Sequence, residues 1–242
     1  MIKNFLYKRF ENTEMILSFL EESNAKSIVL DYGCGAGDLV NMLQNRGYDA
    51  YGCDIGLRSK NTKIKLMNDK FEIPFENDRF DFIVSNQVVE HVHDIKIMIK
   101  EFKRVLKKDG QILLLFPTFE TFIEWHLRMP IVHWFQRFHF VQKLLLYIFC
   151  WLRIGNSKNH SKKGKEYVND RFNFLQRYTV YRTRHNLKNL FRSGNFAVKT
   201  IEQEFFYKKY FIHPVLKALF NKFTFPLILG SVYVLKKENN NE

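Results

Sequence analysis

The sequence predicts a doubly wound, mostly parallel α/β sheet of the Rossmann-like type, and three observations support this fold class. The apolar run 28–30 predicts a buried strand that ends at Asp31. A turn with three glycines follows this strand, and residues 38–43 then predict a helix that ends near Gly47. A strand, a glycine-rich turn and a helix in succession form the first unit of such a sheet.

The spacing of the turn, with glycines at Gly33, Gly35 and Gly37, distinguishes between two kinds of cofactor. In the dinucleotide fingerprint G-x-G-x-x-G, the start of the helix faces a pyrophosphate. Here Asp38 occupies that position, and Asp31 adds a second negative charge beside the loop. Because two negative charges favour a cationic ligand over a phosphate, the sequence predicts S-adenosylmethionine, which carries an ammonium and a sulfonium.

A further acid marks the end of the second strand. Residues 48–54 read as a strand that ends at Asp54. This is roughly the twenty-residue offset at which a carboxylate binds a ribose diol, so Asp54 is the predicted ribose ligand. Structural roles stay open for both acids, since Asp54 could cap the next turn and Asp31 could fix the loop by accepting backbone N–H groups.

Four blocks of sequence follow one another along residues 27–118: LDYGCGAG, GCDI, IPFENDRFDFIVSNQVVEHVHD and FKRVLKKDGQILLLFPT. With these blocks the chain resembles the class I S-adenosylmethionine-dependent methyltransferases. The resemblance implies a seven-stranded sheet with helical insertions after strand 5 and between strands 6 and 7. It also implies that the glycine loop and the two strand-end acids hold the cofactor.

The same resemblance implies the full set of cofactor-binding residues. They are Asp31, Gly33, Cys34, Gly35, Gly37, Asp54, Ile55, Phe71, Glu72, Asn86 and Gln87. Within this set, Phe71 and Glu72 lie near the adenine, and residues 85–87 line the methyl-transfer side. The stretch 55–71 is short and polar, so we expect the helix and strand of this region to be reduced to a turn or a stub.

Glu90 and His91 follow the fourth strand, where neighbouring valines predict the start of a helix beside the cleft. Two roles stay open for His91: it acts as a general base toward an alcohol or phenol, or it packs and forms hydrogen bonds. We take His91 as the candidate catalytic residue. The histidines of the second half of the chain show no ligand spacing to another histidine, cysteine or carboxylate, so we expect no metal.

Charge divides the chain into two halves. Residues 1–117 hold 17 Lys or Arg against 17 Asp or Glu, whereas residues 118–242 hold 21 against 8, which accounts for the whole net charge of +13. The predicted organisation is therefore an N-terminal helix and cofactor-binding half over 1–117, a basic aromatic cap over 118–176, and the rest of the sheet over 177–242. The last part carries an aromatic insertion at 205–230, and the polar stretch 155–165 predicts a mobile lid or loop.

The cap contains the apolar run 144–152, which Lys143 and Arg153 flank. This run is shorter than the roughly eighteen to twenty residues that a membrane crossing needs. Aromatic and basic side chains together are typical of segments that lie on an anionic membrane surface, so we predict a cytoplasmic protein on the inner face of the membrane. Three cysteines without metal spacing and a start without a secretory signal agree with this location.

The predicted function is methyl transfer to an oxygen or nitrogen of a small amphiphilic acceptor, lipid-linked or sugar-linked. One alternative is an RNA or tRNA methyltransferase, because basic charge with aromatic side chains also suits nucleic acid. This is the less favoured partner, since no known RNA-binding or DNA-binding module is visible. A non-catalytic protein that binds S-adenosylmethionine is the second alternative, and a nicotinamide oxidoreductase agrees least with the glycine spacing.

Overall fold

The computed structural model describes residues 12–22, 27–56, 59–158, 160–202, 204 and 230–238. The first elements are α1 (Asn12–Glu22), β1 (Ile28–Tyr32), α2 (Asp38–Asn45), β2 (Asp49–Asp54), β3 (Ile64–Leu66) and β4 (Phe80–Asn86). A 3₁₀ turn (Val89–His91), α3 (Ile95–Val105), β5 (Leu106–Phe116), β6 (Ile123–Glu124) and β7 (Met129–Pro130) follow. The remaining elements are 3₁₀ turns at Val132–Phe135 and Gly155–Lys158, α4 (His139–Trp151), α5 (Gly164–Tyr178), α6 (Arg184–Ser193), β8 (Phe196–Thr200) and β9 (Ser231–Lys237).

Seven strands form one sheet in the order β3-β2-β1-β4-β5-β9-β8. Neighbouring strands are parallel, except that β9 runs antiparallel to both β5 and β8. The strand order reverses between β1 and β4, and the carboxyl ends of strands at such a reversal flank the crevice where α/β sheets bind ligands. The predicted doubly wound, mostly parallel sheet is confirmed.

Both faces of the sheet are covered by helices. Leu30 and Ile83 belong to an apolar layer that includes α3 and α6, whereas Val29 and Val84 belong to a second layer with α1 and α2. Successive side chains of a strand point to opposite faces, so each central strand contributes to both layers. The sheet is thereby fixed as a rigid platform for the loops at its carboxyl edge.

The region between β2 and β3 is short. β3 has three residues, and the described part of this connection, 55–56 and 59–63, contains no helix. The prediction of a turn or stub in this region is confirmed. The aromatic segment predicted at 205–230 lies outside the described residues, apart from Gly230.

The residues between β5 and α6, 117–183, form an insertion with a core of its own. The small β6–β7 hairpin, α4 and α5 surround this core, whose buried members are Leu127, Met129, Val132, Leu146, Tyr167, Val168, Phe172 and Leu175. The stretch 155–165, predicted as a mobile lid or loop, contains regular structure at both ends: residues 155–158 form a 3₁₀ turn and residues 164–165 begin α5. In the 3₁₀ turn the side chain and backbone N–H of Asn156 donate to the carbonyls of His126 (2.6 Å) and Leu127 (2.8 Å). The mobility of this stretch stays a prediction.

Candidate active site

The glycine loop leaves the carboxyl end of β1 with left-handed backbone angles. The φ of Gly35 is +56°, and a Cβ added at this residue would meet no heavy atom within 4 Å. At Gly33 an added Cβ would lie 2.4 Å from a methyl group of Val88, and at Gly37 it would lie 2.2 Å from Ile64. Packing therefore excludes side chains at the two ends of the loop, while the middle borders open space in which a ligand can lie against the backbone.

Asp54 at the end of β2 holds this loop in place. One carboxylate oxygen accepts a hydrogen bond from the N–H of Gly35 at 2.8 Å, and the other accepts from the N–H of Gly56 at 3.0 Å. The capping role that the sequence left open for Asp54 is thus present. The carboxylate retains further lone pairs, so the predicted contact with a ribose is compatible with these bonds and stays a prediction.

Asp31 lies buried in the centre of the sheet edge, paired with Gly52 of β2 and Val84 of β4. Burial, and secondly the negative charge of Asp54, raise the pKa of Asp31 to about 7. A buried carboxylate beside an open loop is stabilised by a nearby positive charge. The positively charged S-adenosylmethionine satisfies this requirement, whereas a phosphate does not.

The predicted cofactor residues Ile55, Phe71 and Glu72 follow β2 and β3. Ile55 and Phe71 are 67% and 48% exposed, and Glu72 accepts a hydrogen bond from the side chain of Asn68 at 2.6 Å. Exposed apolar side chains suit a flat aromatic ligand, and the assignment of Phe71 and Glu72 to the adenine stays a prediction. Cys34 packs toward Gly52, and burial raises the pKa of its thiol to about 12, so this residue serves as a neutral wall of the loop.

Asn86 is the last residue of β4, and Gln87 follows it, on the other side of the crevice. The side-chain oxygen of Asn86 accepts a hydrogen bond from the side chain of Asn12 at 2.8 Å, which brings the start of α1 to this edge. Gln87 has a left-handed φ of +60°, and its N–H donates to the carbonyl of Leu115 at 2.7 Å. Asn12 has no local sequence signal for this role, because its partner is 74 residues away.

The turn after β4 presents His91 to a second histidine from the insertion. The Nδ1 atom of His91 lies 2.5 Å from the carbonyl oxygen of Tyr178, and its Nε2 atom lies 3.1 Å from Nε2 of His126. A carbonyl oxygen only accepts, so Nδ1 of His91 carries the proton, and the lone pair of its Nε2 points toward Nε2 of His126. The sequence carries no local signal for this role of His126, since it lies 35 residues from His91 and on a different element.

A buried carboxylate orients His126. Glu124 accepts from Nδ1 of His126 at 2.6 Å, from the hydroxyl of Tyr181 at 2.6 Å and from the backbone N–H of Leu127 at 2.6 Å. Burial opposes protonation of both histidines. For His91, burial is the largest effect and lowers the pKa. For His126, the hydrogen bond and the charge of Glu124 together outweigh the effect of burial, so the pKa is raised.

Glu90 lies behind the two histidines. Its side chain is buried, one oxygen lies 3.8 Å from Nε2 of His91, and within the described part of the chain neither oxygen has a hydrogen-bond partner. Burial raises the pKa of Glu90 to about 7. The turn therefore carries a carboxyl group that protein contacts leave unsatisfied.

The insertion is tied directly to this turn. The N–H of Val180 donates to the carbonyl of Glu90 at 2.7 Å, and the guanidinium of Arg182 donates to the carbonyls of Val92 and His93 at 2.8 and 2.7 Å. Val88 of the same turn packs against Gly33 of the cofactor loop. The insertion and the glycine loop thus contact opposite sides of one short segment.

α4 packs into the insertion with one face and exposes the other. The exposed stripe consists of Phe140, Leu144, Tyr147, Ile148 and Trp151, which recur at helical spacing. Phe140 and Trp151 are 80% and 82% exposed. Within the described residues, no helix combines the length and the apolar character that a membrane span requires.

Comparison with known proteins agrees with this site. A family model described as a methyltransferase domain matches residues 5–201. Ubiquinone biosynthesis O-methyltransferase of Pelagibacter ubique is 29% identical over 116 residues, which cover 42% of this chain and 48% of that protein. Probable tRNA methyltransferase 9B of Bos taurus is 30% identical over 108 residues, which cover 41% of this chain and 23% of that protein.

The chain spans about half the length, or less, of these curated relatives. A solved S-adenosylmethionine-dependent methyltransferase from Mesorhizobium loti has a TM-score of 0.56 at 13% identity, with 92% of this chain and 98% of that chain covered. At this identity the likeness supports the fold alone. The family model covers well over half of the chain, and together with the glycine loop and its two acids it shows that the chain belongs to the class I S-adenosylmethionine-dependent methyltransferases.

Proposed function

We propose that this enzyme transfers a methyl group from S-adenosylmethionine to an oxygen or nitrogen of an amphiphilic acceptor, lipid-linked or sugar-linked. The observation that carries the proposal is the meeting of His91 and His126, whose Nε2 atoms lie 3.1 Å apart. One histidine belongs to the turn that packs against the cofactor loop, and the other belongs to the insertion. An acceptor held by the insertion therefore reaches the methyl-transfer side at this pair.

The residues that would hold the cofactor are those at the edge of the sheet. When bound, S-adenosylmethionine supplies an electrophilic methyl group, which passes to the acceptor while the sulfur keeps the electron pair of the broken bond. Asp31 supplies negative charge beside the loop, and Asp54 fixes Gly35 through its N–H. The chief contribution of these residues is alignment, which supplies much of the rate in a displacement between two bound reactants.

An acceptor hydroxyl loses its proton as its oxygen forms the new bond to carbon. We assign Nε2 of His91 to accept this proton, because the hydrogen bond from Nδ1 to the Tyr178 carbonyl leaves Nε2 as the unprotonated nitrogen. The side chain of His91 is 35% exposed, so an acceptor has access to it. The contact of Glu124 with His126 holds the second histidine in position.

The exposed stripe of α4 supports an amphiphilic acceptor. Contiguous apolar surface of this kind on a water-soluble domain marks an interaction site. Arg137 and Arg153 lie exposed at the two ends of the helix, where they can meet anionic headgroups while the aromatic rings occupy the interface. We infer that the stripe rests on a membrane or on the apolar part of the acceptor.

A second candidate acceptor is tRNA. The positive charge of residues 118–242 favours it, and one relative is named as a probable tRNA methyltransferase. Among the described residues, the exposed surface of α4 is less suited to RNA, because no Lys or Arg side chain lies within its apolar stripe to contact phosphates. Lys143 of this helix lies over the ring of Phe172, 4.5 Å from its centroid, within the insertion.

The test is to incubate the purified enzyme with S-adenosylmethionine labelled in its methyl group and with separated lipid, polysaccharide, RNA and protein fractions. We expect the label in lipid or lipid-linked sugar, and a reduced rate for His91→Ala at unchanged cofactor affinity. The matched control is His185→Ala, an exposed histidine on α6, which keeps the rate. Label in tRNA alone would contradict the amphiphilic acceptor and support tRNA as the acceptor. Label in no fraction would contradict both proposed acceptors.

A further inference from the structure

Three potential metal ligands converge beside the turn after β4. Glu90, His91 and His126 each offer one ligand atom, and these atoms all lie within 4.8 Å of one another. They come from two segments that are far apart in the sequence, the turn after β4 and the β6–β7 hairpin of the insertion. The anchoring bonds between the insertion and the turn hold the three groups together.

Both histidines direct their Nε2 atom toward the centre of this cluster. Nδ1 of His91 donates to the Tyr178 carbonyl, and Nδ1 of His126 donates to the Glu124 carboxylate. The two Nε2 atoms, 3.1 Å apart, then face each other. Two lone pairs at this distance repel each other unless a positive charge lies between them, which is either a proton or a metal ion.

The hydrogen bonds made by the Nδ1 atoms of the two histidines are typical of histidines that bind a metal through Nε2. A histidine that binds a metal through one nitrogen donates its other N–H to a carboxylate or a backbone carbonyl, and here one histidine has each kind of partner. These partners fix the tautomer in which Nε2 is free to bind. The sequence therefore supplies two oriented imidazoles without any recognisable motif.

Glu90 decides between the proton and the metal. A proton shared by the two histidines leaves both oxygens of Glu90 without a partner, although the residue is only 2% exposed. A buried carboxylate without compensation is costly. A divalent cation bound by all three groups satisfies the histidines and the carboxylate at once.

We propose that Glu90, His91 and His126 bind one divalent transition-metal ion, with Zn²⁺ as the best fit. Two imidazoles and a carboxylate are a donor set typical of zinc sites with an open position, whereas Mg²⁺ and Ca²⁺ prefer oxygen ligands. His91 and His126 have side chains 35% and 24% exposed, so the cluster is accessible to an ion and to a small ligand. If the proposed function holds, the acceptor hydroxyl would bind at the open position of the ion, which would lower the pKa of the hydroxyl so that its proton passes to water, with His91 serving as a ligand rather than as the proton acceptor.

The test is binding of Zn²⁺ to the full chain after treatment with a chelator, followed by calorimetry and metal analysis. We expect one equivalent to bind, and Co²⁺ in its place to give a spectrum without a thiolate band, which excludes the three cysteines. Glu90→Gln and His126→Ala should each weaken binding by at least about 10–100-fold, which is the loss caused by removing a hydrogen-bond partner behind a metal ligand. His126 is partly exposed, so its variant tests the site even if Glu90→Gln fails to fold.

The matched control is His185→Ala, which removes an exposed histidine outside the cluster and should keep full binding. Absence of a stoichiometric metal in the wild-type chain, or binding that neither ligand variant weakens, overturns the metal site. Methyl transfer by the metal-free enzyme would leave the proposed function intact and reject a role of the metal in the transfer. Metal binding without transfer to any fraction would support the metal site and contradict the proposed function.

Discussion

Among single residues, Gly35 gives the sharpest test of the cofactor loop. Gly35→Val places a branched side chain in the open space beside the loop and in a left-handed conformation. We expect binding of S-adenosylmethionine to be lost in calorimetry.

The matched control is Gly47→Val at the end of α2. Gly47 also has a left-handed φ, +85°, and open space around its missing Cβ, but it lies outside the loop. This variant shares the backbone strain, of order 1–3 kcal/mol, and should keep cofactor binding. Equal affinity in both variants and the wild type would show that no ligand lies against Gly35.

We expect Asp31 to make binding of S-adenosylmethionine depend on pH. Its pKa of about 7 means that the carboxyl group is largely protonated at pH 6 and largely ionised at pH 8. Only the ionised form attracts a cation, so affinity for S-adenosylmethionine should rise by about tenfold between these pH values. Asp31→Asn should bind weakly with no such dependence, whereas Asp38→Asn, an exposed acid at the start of α2, should keep the pH dependence of the wild type.

The same carboxyl group affects stability in the opposite direction. Because the folded state holds the proton of Asp31 more tightly than the unfolded state, the stability that it contributes is present below about pH 4 and is lost as pH rises through about 7. Without cofactor, Asp31→Asn should therefore unfold at a higher temperature than the wild type at pH 8. The gain is at most about 4 kcal/mol, and a lower melting temperature would contradict it.

At the scale of elements, α4 carries a surface that its own packing does not use. Replacing Phe140 and Trp151 by serine removes the two most exposed rings of its stripe and leaves the buried Leu146 in place. We expect the double variant to lose flotation with anionic vesicles while its melting temperature is unchanged. Phe122→Ser, at a half-exposed ring outside α4, is the matched control. Failure of the wild type to float would remove the membrane surface as a partner.

At the scale of the molecule, the insertion has a core separate from that of the sheet. Leu146→Ala opens a cavity among the buried side chains of the insertion, at a cost of about 2–5 kcal/mol. Because the residues proposed to bind the cofactor lie at the edge of the sheet, we expect methyl transfer to fall while affinity for S-adenosylmethionine persists. Leu30→Ala, equally buried in the sheet core, should lower both. Loss of cofactor affinity in Leu146→Ala would show that the two cores are not independent.

The sequence predicts those parts of the molecule that are set by local pattern. The strand, the glycine loop and the helix after it are contiguous, and Asp54 lies at a fixed offset, so the cofactor edge follows from short-range signals. The pair of His91 and His126 was beyond this reasoning, because it depends on how the insertion packs. The contact of Asn12 with Asn86 was missed for the same reason.

The bonds from Val180 and Arg182 to the turn after β4 place one short segment between the insertion and the glycine loop. The insertion forms hydrogen bonds with the backbone of this turn, and Val88 of the same turn packs against Gly33. A ligand that shifts the insertion should therefore also shift the glycine loop, and a ligand that shifts the loop should shift the insertion. If docking of the acceptor on the insertion changes the affinity for S-adenosylmethionine, then S-adenosylmethionine changes the affinity for the acceptor by the same factor.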